Sequence, residues 1–286
     1  MPRLCAAALE QTRPKRIPEI LNKADWQGSM NHQNSGFGLQ QLRRIWRGLA
    51  LFNFLLLVGL GYFDDRQRGW LDALRESWPG PGFWEGYAWF MERSVFDDGV
   101  LGGSDIGVLY VLLMLLVFLG LAISPRLRRG PSTPMIARLR AFRTHAAFTV
   151  TVGLVCGLGV VHGLKTLTGR VRPGSVYQQA DLFTAWYQPG ANFLDGMSSS
   201  FPSGHTGAVM LLFTLPVGLA GRHPRVALWG TFFVLAFAWA MALGRCLSAH
   251  HWFSDTLASI VLYLVLVPLI ARLFGQRAMV GSGRFR

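Results

Sequence analysis

Charge is scarce in this chain, and acidic charge scarcest of all. Only 15% of its 286 residues are Asp, Glu, Lys or Arg, with 15 carboxylates against 28 cations, while 51% are hydrophobic. A soluble globular domain carries about 25% charged residues, so the composition argues against a soluble fold. Cysteine is nearly absent: Cys5, Cys156 and Cys246 are too few and too dispersed for a disulfide framework or a zinc site. A compact apolar segment is also missing from residues 1–45, which are basic and rich in Gln, Asn and Gly, so no cleaved signal peptide is expected there. No internal repeat and no second soluble domain is legible.

Long apolar runs are what the chain has instead. They lie near 46–62, 106–124, 145–164, 206–221, 225–243 and 254–274, each close to the roughly 20 residues that span ~30 Å of hydrocarbon. The pattern predicts an all-α polytopic membrane protein, six transmembrane helices bundled within residues 43–276, between a polar, mostly disordered tail at 1–42 and a short tail at 277–286. The first run is expected to act as an uncleaved insertion signal.

The formal net charge of +13 would suggest a nucleic-acid partner in a soluble protein, but its distribution points to the membrane. Counting Arg47, Arg225, Arg272 and Asp255 at the run ends with the adjoining connections, the segments before the first run, between the second and third, between the fourth and fifth, and after the sixth hold twenty Lys/Arg against three Asp/Glu; the other connections hold eight against twelve. Basic excess alternates along the chain as the positive-inside rule requires, so both termini are expected in the cytoplasm. Arg126, Arg128, Arg129, Arg138, Arg140 and Arg143 are read as anchors to anionic headgroups, and no nucleic acid is expected as partner. The connection at 63–105 is instead acidic and aromatic. Phe83, Tyr87, Phe90 and Met91 follow helical spacing, which predicts a short helix lying at the headgroup interface, either as an aromatic belt or as a guide for lipid.

Three short blocks beside these runs carry groups suited to a phosphate ester. Lys165 precedes Arg172-Pro173, and Gly169 with Pro173 should break the helix so that two cations can grip one anion; cations at a helix end also simply snorkel to the interface. Pro202-Ser203-Gly204-His205 reads as a helix start, with Ser203 as N-cap, Gly204 allowing close approach, and free N–H groups that favour phosphate oxygens. His205 at that mouth can give a proton to a leaving alkoxide, or be an interfacial histidine after a cap. Arg245 comes six residues before His251, and Asp255 follows four after it, so that on one helix His251 and Asp255 share a face and can hydrogen-bond. The carboxylate would then fix the imidazole tautomer and leave the other nitrogen free to attack phosphorus. Fixed cations and helix N–H groups are what phosphoryl transfer requires. His250 is off that face, an interfacial or substrate-contacting residue, and His162 is either packed or close to the site. The charge alternation places all three blocks on the non-cytoplasmic side.

In order and spacing these blocks resemble the signature of the type 2 phosphatidic acid phosphatase superfamily, Lys-x6-Arg-Pro, Pro-Ser-Gly-His and Ser-Arg-x5-His-x3-Asp, with one departure: Gly244 stands where the family has Ser. The resemblance covers about residues 100–275. It implies a membrane lipid phosphatase acting on a lipid phosphate or diphosphate through a phosphohistidine on His251, with Asp255 orienting it, His205 as general acid, and Lys165, Arg172, Ser203, Gly204 and Arg245 as phosphate ligands. It implies no metal and no other cofactor; three neighbouring cations would repel a zinc ion held by His205, His251 and Asp255. A bacterial inner membrane is the expected location, with the site on the periplasmic or extracellular side. A lipid phosphotransferase, or a catalytically silent lipid-binding or transport protein, are the alternatives.

Overall fold

The computed structural model describes residues 37–77, 79–93, 105–124, 127, 133–191, 193–194 and 199–274; the expected tail as far as residue 36, and the one at 277–286, lie outside them. The described residues form helices and no strand. In chain order these are α1 (Leu39–Gly61), a 3-10 turn (Asp64–Arg66), α2 (Gln67–Glu76), α3 (Pro81–Arg93), α4 (Asp105–Ile123), α5 (Pro134–Val152), a π-helical stretch (Gly153–Val161), α6 (His162–Thr168), α7 (Pro173–Val176), a second 3-10 turn (Ala180–Leu182), α8 (Gly204–Leu211), α9 (Thr214–Leu219), α10 (Pro224–Leu247) and α11 (Phe253–Leu273).

Four helical stretches are long and apolar enough to cross a membrane: Leu39–Gly61, Pro134–Val176, Pro224–Leu247 and Phe253–Leu273. The runs expected at 106–124 and 206–221 correspond to shorter apolar helices, Leu109–Ile123 and Gly204–Leu219. The second of these is interrupted at Leu212 and Phe213, between α8 and α9. The first helix also starts earlier than expected, at Leu39, drawing Arg43, Arg44 and Arg47 onto its first turns.

Burial ranks the long helices. The apolar window of α11 is 56% buried and that of α1 only 22%, so α11 is the hub against which the rest is arranged. It packs along α1 and also touches α5, α8, α9 and α10, while α4 lies along α5. Phe52, Leu55, Leu116, Trp229 and Phe233 stay exposed, an outward apolar face of the kind hydrocarbon covers. Some polar groups inside pair between helices: Trp46 Nε1 donates to Thr231 Oγ1 at 3.0 Å, and its ring meets Phe213 edge-on.

The aromatic connection does contain the helix its spacing foretold, α3. Its inner face is anchored on α10, where Tyr87 Oη donates to the Ala240 carbonyl at 2.5 Å and Met91 is buried. Leu71 of α2, with Cys246 and Leu247 of α10, forms a small core to which Trp84 and Tyr87 add. The contact explains Gly244. A Cβ there would sit 2.5 Å from Met91 Cβ and 2.9 Å from its Cγ, so α3 can dock against the turn carrying Arg245 only if this residue lacks a side chain.

Gly244→Ser, which restores the residue the family signature carries, should therefore weaken the seating of α3 by about 1–3 kcal/mol, a typical cost of overpacking. Thermal unfolding in detergent should show the drop, and Met91→Ala in the same chain should recover part of it.

Candidate functional site

The three sequence blocks converge where chain segments cross at the start of α11. Gly169, in the left-handed conformation at φ 56°, ends α6, and its N–H bonds the Lys165 carbonyl. The chain then runs beside residues 199–201. Ser200 N–H donates to the Arg170 carbonyl at 2.7 Å, Arg170 N–H to Ser199 Oγ at 3.2 Å, and Thr168 Oγ1 to the Phe201 carbonyl at 3.1 Å. Lys165 Nζ donates to the Ser199 carbonyl at 3.2 Å. Blocks one and two are thus laced together by one backbone pair and by the Ser199, Thr168 and Lys165 side chains.

Block two is fixed in turn to block three. Ser203 N–H donates to the Asp255 carbonyl at 3.0 Å, and Ser259 Oγ donates to the Ser203 carbonyl at 2.7 Å. Ser203 caps α8 as expected, its Oγ accepting from Thr206 N–H at 3.4 Å and from Thr206 Oγ1 at 3.1 Å. Both contacts use the serine oxygen as acceptor and leave its hydroxyl proton to give. His205 follows in the first turn, 6% exposed. The first-turn N–H groups of a helix start such as this one attract an anion.

His251 and Asp255 meet differently from the expectation. Helix α11 begins at Phe253 with Trp252 as its cap, so His251 precedes the helix and shares no helical face with Asp255. Asp255 folds back to accept from Trp252 N–H at 2.8 Å, the capping arrangement of a first-turn acid. His251 Nδ1 lies 2.8 Å from the Ser200 carbonyl and 3.6 Å from Asp255 Oδ2. The carbonyl can only accept, which places the proton on Nδ1 and leaves Nε2 with its lone pair. The carboxylate acts on the imidazole mainly through its charge. His251 is 2% exposed. Burial pushes its pKa down to about 3; Asp255 pulls the other way, and Arg245 and Lys165 add to the fall. The same effect places Lys165, Arg245 and Asp255 around one imidazole, neutral at ordinary pH.

Arg172 caps the short α7, and its Nε is buried without a partner among the described residues. Arg245 is 3% exposed near the end of α10, and its carbonyl accepts from both His250 and His251 N–H at 3.2 Å. His250 Nδ1 lies 3.1 Å from Ser248 Oγ. His162 faces elsewhere: with Gly157, Val161, Gly204, Ala208 and Tyr263 it lines an apolar cavity of about 300 Å³ between α4, the π-helical stretch, α8 and α11. That cavity reaches Gly204, the residue between the Ser203 cap and His205.

Sequence reasoning missed the residue at the centre. Arg170, 1% exposed, donates from Nη1 to Asp255 Oδ1 at 2.8 Å and to Ser254 Oγ at 2.6 Å, and from Nη2 to Asp64 Oδ2 at 2.9 Å. Its guanidinium carbon lies 5.1 Å from the centre of the Trp252 ring, and Ser254 Oγ also donates to Asp64. Asp64 is fully buried, and desolvation raises its pKa to about 6 although Arg170 and Ser254 pull it down. Gln67, equally buried, donates from Nε2 to the His251 carbonyl at 3.0 Å and accepts at Oε1 from Phe253 N–H at 2.7 Å. An acidic pair just after the first apolar run was the one signal of Asp64, and nothing local marked Arg170 or Gln67.

Removing Arg170 leaves two buried carboxylates without their cation, a change that costs about 3–5 kcal/mol. Arg170→Met should lower the unfolding temperature markedly in detergent. Arg170→Lys should recover little, since one ammonium cannot reproduce the fork that reaches Asp64, Ser254 and Asp255 together.

Comparison with known proteins gives one match. The sequence model of the PAP2 superfamily matches residues 145–279, a segment that holds all three blocks. No curated protein and no solved structure matches the chain.

Proposed function

We propose, for a chain that belongs to the PAP2 superfamily, whose members are generally phosphatases, that it hydrolyses a lipid phosphate or diphosphate through a phosphohistidine on His251. The observation that carries the reaction is the placement of that imidazole: its Nδ1 lies 2.8 Å from the Ser200 carbonyl, which can only accept, so the neutral ring keeps its lone pair on Nε2. Nε2 donates its lone pair to phosphorus as the bond to the leaving oxygen breaks. Protonated His205 gives its proton to that oxygen, and the alcohol or phosphate leaves. His205, now neutral, takes a proton from water, whose oxygen attacks phosphorus, breaks the P–N bond and frees inorganic phosphate. Lys165, Arg172, Arg245, the Ser203 hydroxyl and the Gly204 turn of α8 hold the equatorial oxygens. Asp255 offsets the positive charge that His251 acquires on phosphorylation.

The apolar cavity beside Gly204 supports the lipid part of the reading. A phosphate held at the start of α8 has next to it a cavity of about 300 Å³ lined mainly by apolar residues and glycine, room for part of a hydrocarbon chain and an unfavourable place for a sugar. In this reading the two shorter apolar helices complete six spans, both termini are cytoplasmic, and the site opens to the far leaflet of a bacterial inner membrane. Undecaprenyl diphosphate, phosphatidylglycerophosphate, phosphatidic acid and the phosphates of lipid A are the candidate substrates.

His251→Ala in detergent-solubilised protein should abolish phosphate release while leaving the protein folded, and wild-type turnover should persist in EDTA. Turnover by the alanine variant sinks the mechanism. Radiolabel from a diphosphate donor should appear as free phosphate; label in a second lipid would mark a phosphotransferase instead. Gly157→Leu, which narrows the cavity, should lower kcat/KM for a long-chain lipid phosphate about tenfold while leaving a short, water-soluble phosphate ester within about twofold, since each excluded methylene forfeits ~0.8 kcal/mol of transfer energy.

A further inference from the structure

The family match begins at residue 145, yet two of the side chains packed most tightly around the His251 segment come from near residue 65. They lie in the connection after α1, where the chain leaves one long helix and turns into α2. Gly61, at the end of α1, is pressed against the start of α11, where a Cβ would stand 3.1 Å from Ser254 Cβ. Asp64 and Gln67 follow directly and are both fully buried.

Gln67 spans the residue between His251 and Phe253. Its Nε2 donates to the carbonyl on one side of Trp252 and its Oε1 accepts the N–H on the other. Because one backbone partner can only accept and the other only donate, the amide has a single satisfied orientation. Residue 251 stands before the helix cap, where no intrahelical bond fixes the backbone. The Arg245 carbonyl holds the His251 N–H and Asp255 holds the Trp252 N–H, and the side chain of Gln67 completes the set by holding the His251 carbonyl, so its loss loosens the peptide whose rotation aims the imidazole.

Asp64 acts through charge. Around Arg170 there are two carboxylates for one guanidinium, with contacts of 2.9 Å to Asp64 and 2.8 Å to Asp255. The cluster therefore carries one net negative charge beside His251. Without Asp64 the guanidinium would cancel Asp255 alone, and nothing would remain to offset the cation formed when Nε2 bonds phosphorus.

We propose that Asp64 and Gln67 are positioning residues of the phosphatase site, contributed from outside the family-matched segment: Gln67 holds the His251 backbone, and Asp64 holds Arg170 so that Asp255 keeps an uncompensated negative charge facing the imidazole. The inference rests on the reading of His251 as nucleophile. Asp64 faces Arg170, Asp255 and the Ser254 hydroxyl, with the Cys246 thiol of α10 also within electrostatic reach; His251 faces Asp255, Arg245 and Lys165. Asp64 loses its charge as pH falls through about 6, so activity should fall in the same window.

The test uses the full chain in detergent micelles, with steady-state phosphate release from a long-chain lipid phosphate, normalised to folded protein by size-exclusion chromatography. Gln67→Met keeps the volume and removes both hydrogen bonds; kcat should fall about 10- to 100-fold with KM within about twofold, the size of effect expected when reacting groups are slightly misplaced. Asp64→Asn should lower kcat similarly and remove the inflection near pH 6. If Asp64→Asn does not fold, Asp64→Glu, with its charge displaced by one carbon, should show reduced kcat and keep an acid inflection. Wild-type kcat per folded molecule in Gln67→Met and in whichever Asp64 variant folds overturns the proposal, even if the yield of folded protein drops. His251→Ala separates the two failures: turnover by that variant overturns the reading beneath the proposal, whereas an inactive His251→Ala beside active Asp64 and Gln67 variants overturns the proposal alone.

Discussion

A guanidinium removed from water between two carboxylates is the constraint on which the rest of this structure depends. Arg170, Asp64 and Asp255 come from three segments separated by 85 residues or more in sequence, and each is at most 1% exposed. Such a cluster is costly to assemble, because burial strips solvent from all three charges, and it tolerates no half-formed state. The chain ends its first helix, turns after α6 and starts α11 at one place or leaves a charge stranded. Ion clusters of this kind contribute little net stability and much selectivity among packings, which suits a bundle whose apolar helices could otherwise slide past one another.

From that junction the geometry spreads through hydrogen bonds to the backbone. The Ser200 N–H bonds the Arg170 carbonyl, the Thr168 hydroxyl bonds the Phe201 carbonyl, and the Ser203 backbone is held by Asp255 and Ser259 of α11. Lys165, bonded to the Ser199 carbonyl, and Ser203 are thereby attached to segments that are themselves bonded to their neighbours, so in the proposed reading these groups are held before any anion arrives. Preorganisation of this kind is what lets electrostatics lower a barrier without reorganising at the moment of reaction.

The three blocks were legible because their side chains stand at short, fixed separations that survive in the linear sequence. Ser203 as a cap and α3 as a helix were legible for the same local reason. Arg170 was not: it sits between two motif residues with nothing to distinguish a buried arginine from a solvated one, and its partners lie elsewhere in the chain. The four-residue spacing of His251 and Asp255 suggested a shared helix face, whereas the spacing serves a cap, with the helix beginning between them. Gly244 could be seen only as a departure, because its reason is Met91, about 150 residues away. Hydropathy gave the positions of the apolar runs but not their fates; the break between α8 and α9 left one of them as two short helices.

The π-helical stretch has a consequence for helical phase. His162 N–H reaches back five residues to the Gly157 carbonyl, so this stretch winds less per residue than the α-helix before it. The angle through which Lys165 has turned about the axis by the time it leaves the bundle is therefore set by the number of residues wound in this wider form. Rewinding the same stretch as plain α-helix would keep every residue and every motif spacing, yet would carry Lys165 around the axis and away from the Ser199 carbonyl. The proposed site is in that sense tuned from a glycine-rich stretch that precedes it in the chain, and the tuning resides in backbone winding, which a motif search cannot register.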